Sequence, residues 1–183
     1  MKPKRPRSRA AASAVRNSRP PIAAAAWARI RLFAMDVDGI LTDGTVTVRS
    51  DGTEAKKFSI IDGRGLVRCR EAGVILAWIS GRPSPATAVR ARELRIPHVV
   101  QGRNDKRAAL QELARRLRLG PAAVCYMGDD DVDAPALAWA GIGATVPEAQ
   151  PEALAAAGFV AARPGGHGAV REVCELILRA RVP

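Results

Sequence analysis

Aromatic residues are scarce in this chain: three Trp, three Phe and one Tyr make up 4% of 183 residues. A core must therefore be built from Ala, Val, Leu and Ile, which a hydrophobic content of 48% supplies. Cysteine is as sparse. Cys69, Cys125 and Cys174 stand far apart with no C-x-x-C pair, which argues against a disulfide framework or a zinc site. All three lie in apolar runs and read as buried free thiols in a reducing cytoplasm. No stretch approaches the ~20 apolar residues that a membrane helix needs. Acidic residues are missing from 1–31, which hold nine Lys or Arg, while 32–183 hold 20 basic and 18 acidic residues. The net charge of +11 thus belongs to the amino-terminal segment. With no basic folded face and no zinc-finger or RNA-recognition signature, nucleic-acid binding is not the expected main function.

Length suits one domain. Residues 1–28, rich in Arg, Ala, Ser and Pro, cannot bury enough apolar surface to offset their ordering entropy, so they read as a disordered basic tail before a domain at 29–183. An acid-poor, Arg- and Ser-rich targeting segment is the alternative. From Arg31 onward, short apolar runs at 31–35, 74–79, 98–100, 124–127, 143–146 and 159–161 alternate with helical patterns near 64–72, 84–95, 105–118, 131–140, 151–157 and 168–180. That alternation predicts an α/β fold: a doubly wound, Rossmann-like parallel sheet. The segments 45–48 and 56–59, joined around Asp51-Gly52, break the pattern. They predict a β-hairpin flap after the first strand, with no large cap domain.

The first strand runs into Asp36-Val37-Asp38-Gly39. Two carboxylates at i and i+2 can serve one site in different roles, Asp36 as metal ligand and nucleophile and Asp38 as general acid. A calcium loop would need a Glu at the twelfth position and flanking helices; Thr47 stands there, and a strand precedes. Ser80-Gly81-Arg82 follows the second strand, where a hydroxyl and backbone amides at a helix start can bind phosphate. Lys106 opens the helix after the third strand, and Asp129-Asp130-Asp131-Val132-Asp133 follows the next. A row of acids suits a divalent cation such as magnesium. Each motif alone is equally well a turn, a helix cap or a solvated side chain. All four fall at the carboxyl edge of a parallel sheet, where such folds bind ligands.

Together these motifs, with FSIIDGRG at 58–65, QGRNDK at 101–106 and GGHGAVRE at 165–172, resemble the haloacid-dehalogenase superfamily. Within it, the chain is similar to the 3-deoxy-D-manno-octulosonate 8-phosphate phosphatases and the related nonulosonate 9-phosphate phosphatases. The resemblance covers about 30–180. It implies a cytoplasmic homotetramer acting in lipopolysaccharide biosynthesis on a small sugar-acid phosphate. Asp36 would become an aspartyl-phosphate, and Asp38 would act as acid and then base. Mg2+ would be held by Asp36, the Asp38 carbonyl and Asp129. Ser80 and Lys106 would hold the phosphoryl group, with Asp130 and Asp133 in support. Gly81 belongs to the phosphate loop, and Arg82, Arg90, Asp62 and Gly63 match substrate-contacting positions. Two departures bear on the substrate. Ile61 and Val67 stand where octulosonate phosphatases carry arginine, removing bidentate carboxylate partners that Arg64 or Arg68 would have to replace. His167 replaces a usual lysine, whereas His98 reads as structural. The rival readings are a non-catalytic, receiver-like signalling module on this fold, and a nucleic-acid-associated protein working through its basic tail.

Overall fold

The computed structural model describes residues 21–181. Its centre is a six-stranded parallel sheet in the order β5-β4-β1-β6-β7-β8. The strands are β1 (Leu32–Met35), β4 (Ile75–Ser80), β5 (His98–Gln101), β6 (Val124–Met127), β7 (Ile142–Thr145) and β8 (Phe159–Val160). The two central strands, β1 and β6, are buried along their whole length, as expected when helices cover both faces of a parallel sheet. The chain winds outward from β1 through β4 to β5, then returns to β6 and winds the other way. The topological switch therefore lies beside β1, where open α/β sheets leave a crevice at the carboxyl edge.

Among the described residues, seven α-helices connect and flank the strands: α1 (Ala24–Ala28), α2 (Ile60–Glu71), α3 (Pro85–Glu93), α4 (Lys106–Arg116), α5 (Ala134–Trp139), α6 (Pro151–Ala156) and α7 (Ala169–Arg179). Their starts follow capping chemistry. The side chains of Ser59, Ser84 and Asp105 accept hydrogen bonds from the backbone N–H groups of Asp62, Thr87 and Ala108, satisfying donors that a helix leaves open. The few aromatics are placed economically: Phe33, Trp78 and Tyr126 are fully buried, and Phe58 stacks on Trp78 at 6.2 Å.

Two expectations shift. Residues 1–20 lie outside the described residues, but the remainder of the expected tail packs. Trp27 in α1 is 4% exposed and meets Phe159 edge-on at 5.4 Å. Burying one tryptophan removes enough apolar surface to order a short alanine-rich turn. The hairpin is present, but its strands are β2 (Thr47–Val48) and β3 (Glu54–Ala55), paired antiparallel; 56–59 is not its return strand. Asp51 closes the turn by accepting from the Thr53 N–H and hydroxyl at 2.9 and 2.6 Å. The chain past Ala55 then leaves the ladder and runs inward toward Phe58.

Candidate active site

The carboxyl ends of β1 and β6 are pinned together, the Asp36 N–H donating to the Met127 carbonyl at 2.9 Å. Asp36 and Asp129 thus emerge side by side. One carboxylate oxygen from each of Asp36, Asp129 and Asp133 lies within 4.8 Å of the others. Lys106 enters this cluster from the start of α4. It is 1% exposed, with its ammonium 2.9 Å from Asp36 Oδ1 and 3.3 Å from Asp133 Oδ1. Burial works against that charge, but Asp36 and Asp133 outweigh it and hold the lysine above its ordinary pKa.

The three acids are not equivalent. Asp133 is saturated: it accepts from the Tyr126 hydroxyl at 2.6 Å and from the N–H groups of Asp129 and Asp130 at 3.2 and 3.1 Å. It stands behind the site and shapes the loop. Asp130 is exposed and caps the short turn at 131–133. Asp129, by contrast, keeps Oδ1 buried with no donor. Burial and the repulsion of Asp36 and Asp133 push Asp129 up to about 8, and burial with Asp133 pushes Asp36 up to about 6. An orphaned buried oxygen beside a second crowded carboxylate fits a divalent cation, which would supply the missing charge.

The backbone around this cluster is tightly seated. Gly39 has φ of +89°, and a Cβ there would lie 2.1 Å from Asp129 Oδ2; only glycine allows the acid so near the turn. Buried Thr42 accepts from the N–H groups of Gly39 and Gly44, both at 3.3 Å. From the far end of the chain, Gly165 lies directly over this loop, where an added Cβ would fall 1.8 Å from the Gly39 carbonyl oxygen.

Comparison with known proteins agrees with this arrangement. Residues 75–172 match the family described as haloacid dehalogenase-like hydrolase. The chain is 41% identical over 154 residues to the 3-deoxy-D-manno-octulosonate 8-phosphate phosphatase of Yersinia pestis, covering 84% of this chain and 82% of that protein. The chain belongs to the haloacid dehalogenase-like hydrolases. It is a phosphatase. Among solved structures, it is similar to the octulosonate phosphatase from Moraxella catarrhalis, crystallised with magnesium, phosphate and KDO (TM-score 0.85, 45% identity, 86% of this chain and 91% of that one). It is also similar to the cobalt-bound enzyme from Haemophilus influenzae (TM-score 0.82, 33% identity, 85% and 91%).

In this haloacid dehalogenase-like hydrolase the Ser80-Gly81-Arg82 loop follows β4. Buried Ser80 directs its hydroxyl to the Arg82 carbonyl at 3.0 Å and accepts from the Arg82 N–H at 3.2 Å. A side chain at Gly81 would strike Asn104 Oδ1, so the loops after β4 and β5 touch. Arg82 is exposed and pairs with Glu54 of the hairpin at 2.9 Å. Arg90 on α3 reaches Glu93 at 2.7 Å and the Ser59 carbonyl at 3.4 Å, passing over Gly63, where a Cβ would lie 2.6 Å from its guanidinium.

Asp62 is not brought to the cluster. Its buried carboxylate accepts from the backbone N–H groups of Gly168 and Arg171 at 3.1 and 2.7 Å, capping the start of α7, and burial raises its pKa. The family resemblance implied a substrate contact for Asp62; its side chain faces the neighbouring helix. Arg68 likewise turns to Glu175 on α7, while Arg64 is exposed. Val67 packs against the core. Ile61 lines an open groove of about 570 Å³ shared with Arg163, Arg171 and Arg179.

Sequence reasoning missed Lys56. Its side chain, 0% exposed, leaves the hairpin to meet Asp38, with Nζ 2.7 Å from Oδ1 and 2.9 Å from Oδ2. Lys56 and Phe58 share a face by the alternation of an extended chain. An aromatic two residues away, half-buried against the core, was the available signal.

Proposed function

We propose that this phosphatase hydrolyses a sugar-acid phosphate, either 3-deoxy-D-manno-octulosonate 8-phosphate or a similar nonulosonate 9-phosphate, through an aspartyl-phosphate on Asp36. The observation that carries this reading is the buried Asp36–Lys106 pair beside the orphaned oxygen of Asp129. Asp36, Asp129 and the Asp38 carbonyl would hold Mg2+, which supplies positive charge that polarises the phosphoryl group.

The remaining work falls to the chain's own side chains. Lys106 keeps Asp36 ionised and offers a fixed ammonium to the phosphoryl oxygens, so that positioning and charge do most of the catalysis. An Asp36 oxygen forms a bond to phosphorus as the ester P–O bond breaks. The departing sugar oxygen takes the bond's electron pair and a proton from Asp38. Water then attacks the phosphorus, Asp38 takes its proton back, and the bond to Asp36 breaks to release phosphate. Ser80, Gly81 and the amides of their loop hold the other phosphoryl oxygens, while Arg82 and Arg90 face the sugar. The hairpin closes over the opening as a flap, and the enzyme works as a cytoplasmic homotetramer.

Replacing the nucleophile should abolish turnover. Asp36→Asn is expected to lower phosphate release from 3-deoxy-D-manno-octulosonate 8-phosphate in Mg2+ by at least about 10³-fold, as removal of a covalent nucleophile does elsewhere. Activity within tenfold of the parent protein would overturn the assignment. Release from hexose phosphates at equal kcat/KM would overturn the sugar-acid preference.

A further inference from the structure

The hairpin does more than stand beside the opening. Past β3, Lys56 runs inward until its side chain is wholly covered, and its ammonium reaches Asp38 and the Thr87 hydroxyl, the latter at 3.3 Å. Of the two Asp38 oxygens, Oδ2 receives a well-directed hydrogen bond at 2.9 Å. Oδ1 lies 2.7 Å from the same nitrogen yet, among the described residues, is buried without a directed donor. Among the described residues, the other cation paired with this carboxylate is Arg82, whose Nε is 3.8 Å from Oδ2. The Lys56 ammonium therefore touches both Asp38 oxygens and grips the carboxylate as a whole.

We propose that Lys56 is a positioning residue for the proton-transfer step: its ammonium, in contact with both carboxylate oxygens, fixes the orientation of the Asp38 carboxyl that carries the proton to the leaving alcohol. The proposal rests on the acid role given to Asp38 above. A covered lysine is costly unless its charge is used. Here its partner is a loop aspartate, which without this contact would rotate freely about its side-chain bonds. Thr87, buried at the first turn of α3, holds the ammonium from behind. The hairpin thereby acts on the chemistry and not on access alone.

The experiment compares kcat/KM on two substrates for Lys56→Met, Lys56→Arg and Asp38→Ala in the full-length Mg2+-loaded protein. One substrate is 3-deoxy-D-manno-octulosonate 8-phosphate, whose alkoxide needs a proton to leave. The other is p-nitrophenyl phosphate, whose phenolate does not. Lys56→Met should lose about 10²-fold on the sugar phosphate, the lower end of what a positioned general acid contributes, and under about threefold on the aryl phosphate. Lys56→Arg should recover part of the loss. Asp38→Ala should show the same split more strongly.

A Lys56→Met loss equal on both substrates would mean that the lysine only supports the fold, and the proposal fails. So would no loss on either. If Asp38→Ala shows the split and Lys56→Met does not, Lys56 alone is misassigned. If Asp38→Ala shows no split, the acid role itself falls and the proposal with it.

Discussion

Lys106 and Arg82 bring positive charge to the same opening in opposite ways. Lys106 is 1% exposed between two carboxylates, whereas Arg82 leaves 46% of its side chain in solvent and leans on Glu54. Around Lys106 the charges of Asp36 and Asp133 are enclosed with it, so that removing one group strands another in a low-dielectric interior. At Arg82 and Glu54 the charged groups are screened and separable, each contributing little by itself. The difference teaches where variation is tolerated. The inner cluster can be altered only as a unit, whereas the exposed rim can change residue by residue.

The sharpest way to break this contrast is Lys106→Met. It leaves Asp36 and Asp133 facing each other without a cation, and should lower unfolding free energy by about 3–5 kcal/mol, the range for breaking a buried pair. Urea unfolding checks it. A midpoint matching the parent protein would place Lys106 with the rim residues.

Metal removal tests the same cluster through pH. Without a cation, Asp129 titrates near 8 and Asp36 near 6, both raised above the ordinary 3.8. The folded state then holds protons that the unfolded chain releases, so this stabilisation is complete below about pH 4 and is lost as pH climbs through 6 and 8. The melting temperature of EDTA-treated protein should fall by about 5 °C or more from pH 5 to 8.5, given ~2–4 °C per kcal/mol at this size. Millimolar Mg2+ should flatten the slope. A melting temperature that rose over that range in the absence of metal would contradict the crowded-carboxylate account.

The smallest effect comes from Asp62→Asn. It weakens the cap on α7 and should cost about 1–2 kcal/mol in thermal unfolding, with KM for the sugar phosphate changed less than twofold. A large KM increase with stability intact would return Asp62 to the substrate.

What the sequence made legible divides along the same line. The strands of the sheet and the acids at their tips could be read because a parallel α/β fold brings strand ends to one edge, whatever the details of packing. The hairpin register could not: Asp51 closes its turn through side-chain hydrogen bonds, so the return strand begins at Glu54. Nor could the partners of Asp62 and Lys56, because both depend on how elements lie across one another. Asp62 sits in α2 but serves the backbone of α7. Lys56 belongs to no acidic or glycine-rich motif, and its meaning comes from the Asp38 carboxylate it reaches. Trp27 was obscured in a similar way, since its alanine-rich surroundings resemble a tail until Phe159 is placed against it.

The contact of Gly165 over Gly39 joins the latest part of the chain to the earliest part of the catalytic apparatus. During translation, Asp36 emerges long before the segment that packs over its loop. A nascent chain can therefore lay down its central sheet and still lack a finished catalytic turn. The loop after β1 is complete only once the segment at Gly165 has docked on it.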